Sequence, residues 1–368
     1  MLESLTLHNF KCFPHQTIEL APLTLLAGLN STGKSSVIEA LLLLRQNQSW
    51  NFQELHLRGK YVDLGSGSDI LCEYSNEDEC GIELGFAGGS LEARWLATAE
   101  NILTSSPNGV TMDKVSACPL FVQRDNQWLQ FTYLSADRMG PRTSYLTSPE
   151  NLSINPEIGN RGEYASHYLE MVANQTVPIR SLADANQAAD TVNDQMDAWM
   201  EMISPGVHLK VASYADIDMV KFRYQYSVDG MLSREYRPIN VGFGVTSIMP
   251  VILSVLTTQA GGIILLENPE IHIHPKGQTQ LGMLLARAAQ AGVQIIVETH
   301  SDHIINGLRL ATKQSLIDPE NILIQFFTPS VTSNGSAVES IRLDKQGKLQ
   351  PWPDQFMSEW EDSLMQLI

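Results

Sequence analysis

The period of the hydrophobic pattern changes several times along the chain, and each change predicts an element. Apolar and polar residues alternate around Leu5-Thr6-Leu7 and again over Thr17-Ile18-Glu19-Leu20, which predicts two short strands. Leu23-Thr24-Leu25-Leu26-Ala27 is an apolar run that leads into a glycine-containing loop. Residues 35–45 follow as a helix, with Val37, Ile38, Leu41 and Leu42 on one stripe. Residues 55–135 read as strands and turns, broken at Gly65-Ser66-Gly67-Ser68 and at Gly88-Gly89-Ser90. Helical periodicity covers Glu163 to Val172 and Ala183 to Ile203, and alternation returns over 207–237, as in Val207-His208-Leu209-Lys210-Val211.

Beyond residue 238 a helix is expected from Thr246 to Thr257. The apolar run Ile263-Ile264-Leu265-Leu266 has the composition of a strand buried on both faces. A helix over Gly277 to Gln290 turns Leu281, Leu284, Leu285 and Ala288 inward, with Gly292 just past its end, and Gln294-Ile295-Ile296-Val297 is the next buried strand. There are no internal repeats and no heptad run long enough for a coiled coil. The predicted class is α/β, divided as 1–60, a mixed strand and helix insertion over 61–235, a second α/β part over 236–330, and an acidic segment over 331–368.

Composition narrows the class. The 368 residues carry a net charge of −17, which disfavours nonspecific attraction of the whole surface to nucleic acid or to an anionic membrane. No apolar stretch reaches the roughly 20 residues of a membrane span. The N-terminus lacks the basic-then-apolar layout of a secretion signal. A soluble cytoplasmic protein is expected. Cys12, Cys72, Cys80 and Cys118 form no Cys-x-x-Cys pair, so zinc is not expected and free thiols are.

The chemistry concentrates in four segments. Gly28-Leu29-Asn30-Ser31-Thr32-Gly33-Lys34-Ser35 is a complete G-x-x-x-x-G-K-[ST] loop between a strand and a helix. Backbone N–H groups of such a loop curl around phosphates, and the next helix adds its positive end. Asn30, Ser31, Thr32, Gly33, Lys34, Ser35 and Ser36 are the expected nucleotide contacts. Lys34 is expected to reach the β/γ-phosphates and Ser35 to ligate Mg²⁺. The strand Ile263–Leu266 ends in Glu267-Asn268-Pro269-Glu270, which makes Glu267 the candidate carboxylate on the Mg²⁺ side. The strand Gln294–Val297 ends in Glu298-Thr299-His300, and His300 is a candidate sensor of the terminal phosphate. Gly242, Gly244 and Ser247, at a helix start, form a candidate second anion nest.

In this order the segments resemble the ABC-type ATPase heads of the SMC/RecF group. The opening Leu5-Thr6-Leu7-His8-Asn9-Phe10-Lys11-Cys12-Phe13 and Asn30 in the loop are typical of that group. The similarity is greatest to small bacterial AAA ATPases of the OLD/RecF-like branch, through Glu267-Asn268-Pro269-Glu270-Ile271-His272-Ile273-His274-Pro275, Tyr133 to Pro141, and Gly347-Lys348-Leu349-Gln350-Pro351-Trp352-Pro353. The resemblance implies a P-loop ABC-type head and two heads sandwiching ATP head-to-tail. The nest at Gly242–Ser247 would face the partner's phosphates, and His300 would be the switch histidine. It departs from the family at Asn268, where the catalytic glutamate usually stands. An amide cannot take a proton from water. Glu270 or Glu298 substitutes, or hydrolysis is slow. The residues after His300 are too few for the Toprim nuclease domain of OLD relatives.

An ATP- and Mg²⁺-dependent homodimeric or higher-order ATPase that regulates a separate protein effector, in bacterial antiphage defence, is therefore expected. The alternative is a RecF-like DNA-binding ATPase of repair or recombination. For that alternative Lys11, Arg45, Arg58 and Lys60 cluster modestly near the N-terminal part and Arg138, Arg142 and Arg161 fall together mid-chain, and both groups are read as solvated surface charge. A transporter head is disfavoured because Gly242–Ser247 departs from Leu-Ser-Gly-Gly-Gln, and a metabolic kinase because no lid for a second substrate is evident. Trp352, Phe356, Trp360 and Leu364 form a helical stripe beside Asp354, Glu359, Glu361 and Asp362, expected to pack on the protein's own lobe while the acidic face can recruit a basic partner.

Overall fold

The computed structural model describes all residues except 76, 99, 123–125, 149–155, 184–188, 215–218, 229–230, 330–334 and 351–368. The C-terminal aromatic and acidic stripe lies outside the described residues. The chain divides into two compact units: residues 1–121 with the described residues from 318 onward, and residues 122–317.

In the first unit the strands are β1 (Leu2–Phe10), β2 (Phe13–Glu19), β3 (Leu23–Gly28), β4 (Glu54–His56), β5 (Glu79–Phe86), β6 (Gly89–Leu96) and β7 (Ile102–Asp113). The helices are α1 (Lys34–Gln46) and the single turn α2 (Gly67–Ile70). Six strands make an antiparallel sheet in the order β2-β1-β5-β6-β7-β4. Residues 79–113 are thus not separate from the N-terminal strands. β5 pairs along β1, Leu5 opposite Leu84 and Leu7 opposite Ile82, because both present their apolar alternation to one core. β3, buried at Leu23 through Ala27, lies outside that sheet and pairs in parallel with a strand from the far end of the sequence.

The second unit holds β8 (Leu129–Leu134), β9 (Tyr145–Leu146), α3 (Ala165–Val172), α4 (Val192–Ile203), β10 (Val207–Tyr214), β11 (Met219–Val228), β12 (Met231–Leu232), α5 (Phe243–Thr257), β13 (Thr258–Glu267), α6 (Pro275–Gln290), β14 (Gln294–Glu298) and α7 (Asp302–Lys313). The strand that pairs with β3 is β15 (Ile322–Pro329), followed in the first unit by β16 (Ser336–Leu343) and β17 (Leu349–Gln350).

β13 pairs in parallel with β8 on one side and β14 on the other. Ile263 to Leu266 and Gln294 to Glu298 are all buried, so the two apolar runs are strands covered on both faces. Both strands end in register, Glu267 beside Glu298, which sets the two chemically loaded loops side by side. β9, β10, β11 and β12 form a smaller antiparallel sheet. α4 begins at Val192 and not at the expected Ala183, because the Thr191 hydroxyl accepts from Asp194 N and caps the helix there. No helix among the described residues is long and apolar enough to cross a membrane.

Candidate functional site

In the first unit the glycine-containing loop leaves β3 at Gly28. Its φ is +133°, and a β-carbon there would stand 2.1 Å from the Phe327 carbonyl oxygen on β15, so only glycine fits. The loop turns through left-handed geometry again at Ser31 (φ 60°) and at Gly33 (φ 92°), the N-cap of α1. Such alternation gathers successive N–H groups into an anion-binding concavity. A β-carbon at Gly33 would meet Cys12 Sγ at 2.4 Å and the Phe13 ring at 2.5 Å, so the β1–β2 turn fixes the back of the loop.

Lys34, the first residue of α1, is 3% exposed, and its ammonium donates to the carbonyls of Gly28 (3.1 Å) and Leu29 (2.6 Å). The Thr32 hydroxyl donates to the same Leu29 carbonyl at 2.7 Å. Asn30, Ser31 and Ser35 are exposed, and Ser36 is buried in α1. No acidic residue occupies the first turn of α1, so nothing there offsets its positive end.

In the second unit the ends of β13 and β14 are knitted together. The Glu267 carboxylate accepts from the Tyr133 hydroxyl on β8 at 3.0 Å and from Ala136 N at 3.1 Å. Asn268 has φ 42°, a left-handed residue that asparagine tolerates, and its N–H donates to the Glu298 carbonyl at 2.8 Å. The turn closes with Ile271 N on the Asn268 carbonyl at 3.2 Å. Glu270 Oε1 accepts from His300 N at 3.0 Å, which joins the loop after β13 to the loop after β14. His300 itself is exposed, immediately ahead of Ser301, whose hydroxyl caps α7.

Arg138 organises this cluster, although the sequence reading takes it for solvated surface charge. It is 4% exposed. Its guanidinium donates to the carbonyls of Glu267 (2.8 Å), Asn268 (2.8 Å), Ser135 (3.2 Å) and Ser247 (3.2 Å). Burial pulls its pKa down to about 10, against the opposing charges of Glu270 and Glu267, so it stays cationic at neutral pH. Four of the other basic residues also have partners. Lys11 pairs with Glu39, Arg58 with Asp63, Arg161 with Asp137, and Arg45 donates to the Leu120 carbonyl.

The glycine nest differs from expectation. α5 starts at Phe243, three residues before Thr246, so Gly244 and Ser247 lie within the helix and only Gly242 caps it. Gly244 is small because the His272 carbonyl would be 2.1 Å from its β-carbon. Ser247 is 2% exposed and its hydroxyl donates back to the Gly244 carbonyl at 3.1 Å, so it does not face outward. Open space remains at Gly242, where a β-carbon would meet nothing within 4 Å. A cleft of about 390 Å³ runs between this helix start, the C-terminal end of α4 and residues His272 to Gly277.

A family model described as an AAA ATPase domain matches residues 1–114 and 164–305. One described as a protein of unknown function matches 317–367. No curated protein matches the chain. Among solved structures, a SmcHead bound to the C-winged helix domain of ScpA is similar at 13% identity with a TM-score of 0.54, over 94% of this chain and 99% of that one. An Smc head domain with an extended coiled coil, bound to the C-terminal domain of ScpA derived from Pyrococcus furiosus, matches at 11% identity and TM-score 0.54, over 100% and 99%. The fold is accordingly α/β, of the P-loop SMC/RecF-like ABC-type head.

Proposed function

Because the chain belongs to the AAA ATPase domain family, we propose that it binds and hydrolyses ATP, pairs head-to-tail with a second copy when ATP is bound, and through that pairing regulates a separate effector protein. The observation that carries this reading is the loop Gly28–Ser35, with a lysine ammonium drawn onto its own carbonyls and an uncompensated helix start behind it. Ser35 and Glu267 supply a hydroxyl and a carboxylate, the hard oxygen chemistry that Mg²⁺ takes, and they would hold that ion, which when bound neutralises charge on the phosphates. Gly242, with the first-turn N–H groups of α5, would receive the phosphates bound by the second copy, and His300 would sense the terminal one.

A protein effector is favoured over DNA by the net charge of −17 and by the pairing of Lys11, Arg58 and Arg161 with carboxylates. The similar SMC heads are themselves bound to domains of ScpA, a protein partner. Antiphage defence is proposed as the setting from the resemblance of Glu267–Pro275 to the OLD/RecF-like branch. The test is nucleotide binding and mass measured together. The wild-type chain, 40.8 kDa, doubles its mass in light scattering with Mg²⁺ and a non-hydrolysable ATP analogue. Lys34→Ala abolishes both saturable binding and doubling. Absence of saturable binding by the wild type sinks the proposal, and ATP-dependent retardation of duplex DNA at physiological salt would replace the effector reading with the repair alternative.

A further inference from the structure

The two histidines nearest the N-terminus meet on the polar face of the six-stranded sheet of the first unit. Leu5 and Leu7 of β1 are buried, and strand alternation puts Ser4, Thr6 and His8 on the opposite face. On β2, Thr17 stands opposite Thr6 and His15 opposite His8. The two threonine hydroxyls are 3.0 Å apart, and Nδ1 of His8 is 2.9 Å from Nδ1 of His15. Side chains on β5 and β6 hold the His8 ring from its other edge. Its Nε2 is bonded to the Glu83 carboxylate, which also accepts from Arg94 Nη2 at 3.1 Å, and Arg94 Nε donates to Glu92 at 3.3 Å. Gly81, the residue opposite His8 on β5, has no side chain, so Arg94 reaches Glu83 across it. An ionised carboxylate only accepts, so His8 Nε2 carries the ring proton and Nδ1 keeps its lone pair, aimed at His15.

We infer that His8 Nδ1 and His15 Nδ1 form a two-imidazole site for a divalent late first-row transition metal that takes its ligands at right angles, Cu(II) or Ni(II), with Glu83 positioning His8. Two imidazole nitrogens bound at right angles, at about 2.0–2.1 Å from the ion, stand about 2.9 Å apart, whereas tetrahedral zinc asks for about 3.3 Å. The observed separation matches the first. His8 already presents its lone pair. His15 does so once its proton moves from Nδ1 to Nε2 of its exposed ring, and no proton is lost. The carboxylate behind His8 fixes the ring plane and raises the basicity of the ligating nitrogen. Glu83 and Glu92 outnumber Arg94 in this cluster, so a dication meets a net negative patch. Among the described residues no group of three or more His, Cys, Asp or Glu is placed to hold a metal ion, so the protein supplies two ligands and water the others. The bound ion ties β2, the edge strand of the sheet, to β1.

The experiment titrates the full-length protein with Cu(II) and with Ni(II) by calorimetry, in a non-coordinating buffer containing Mg²⁺, and reads bound Cu(II) by electron paramagnetic resonance. The wild type should show one tightest site per chain, with two nitrogen donors in the Cu(II) spectrum. His15→Gln, at an exposed position, should weaken that site at least about tenfold and leave one nitrogen donor. His8→Gln should do the same from the other strand, so a folding defect in one variant does not decide the test. Glu83→Gln should weaken binding about 10–100-fold and keep both nitrogen donors. Ni(II) should raise the urea midpoint of the wild type and not that of His15→Gln. The chain has nine histidines, and scattered weak binding at the others is the competing outcome. Equal affinity and equal spectra for wild type, His15→Gln and His8→Gln would show that outcome and overturn the site. Unchanged affinity in Glu83→Gln would overturn its positioning role. None of these readouts involves nucleotide, so the inference stands or falls apart from the ATPase reading.

Discussion

Gly28 shows how much of a phosphate loop is dictated by one side chain that is missing. The φ of +133° excludes L-residues, and the Phe327 carbonyl occupies the place of a β-carbon at 2.1 Å. Conformational strain of this kind costs about 1–3 kcal/mol by itself, and the clash with backbone adds to it because neither strand can yield without losing ladder bonds. Gly28→Ala is therefore expected to lower the urea midpoint of unfolding with an unchanged slope, by at least about 2 kcal/mol, and to abolish nucleotide binding at temperatures where the chain is still folded. An unaltered midpoint would show that β3 and β15 are looser than their pairing implies. At Gly244, by contrast, the residue type was legible and its reason was not. The glycine answers to the His272 carbonyl, a partner 28 positions away that no local pattern announces.

Among elements, those that the sequence describes best are the ones whose neighbours on both faces are alike. Ile263 to Leu266 of β13 and Ile295 to Val297 of β14 are apolar at every position because each run is covered on two sides, and these short runs were readable as buried strands. The start of α5 was not, since a Gly-x-Gly segment signals a turn and a helix N-terminus equally. The start of α4 was readable in Thr191-Val192-Asn193-Asp194, a hydroxyl with an acid three residues on, but helical composition upstream of it masked the cap. The pairing of β1 with β5 depends on a partner more than 70 residues away and leaves no local trace. Arg138 is the costliest omission. It follows a buried strand with no periodicity to mark it, and it ties the end of β13 to α5 by donating to the carbonyls of Glu267, Asn268 and Ser247. Arg138→Met removes those donors and leaves Glu267 and Glu270 without a facing cation, a loss of about 3 kcal/mol. Lysine cannot reproduce the fork, so Arg138→Lys is expected to recover only part of it. Thermal or urea unfolding measures both, and equal stability of all three chains would remove Arg138 as the tie.

For the molecule as a whole, the four thiols are free, and two of them set an alkaline limit on stability. Cys80 is 2% exposed and Cys118 is 0% exposed. Burial raises the pKa of Cys80 from its ordinary 9.0 to about 12, and that of Cys118 to about 11. In the unfolded chain both ionise near 9, whereas in the folded chain both keep their protons. From about pH 9 upward the unfolded state therefore binds fewer protons, and folding stability falls as pH rises. Each thiol contributes up to about 1.4 kcal/mol per pH unit until its folded pKa is reached. Burial raises Tyr168 and Tyr224 as well, which extends the same slope above the ordinary tyrosine range. Urea unfolding at pH 8, 9.5 and 10.5 should show a steady loss across the series. Cys80→Ala should be less stable than the parent at pH 8 and closer to it at pH 10.5, because it forfeits the packing of a buried side chain and is relieved of one proton deficit. Parallel curves for the two proteins would mean that the thiolate at position 80 is reached in the folded chain, and that the β5–β6 face of the first unit opens to solvent well below the global transition.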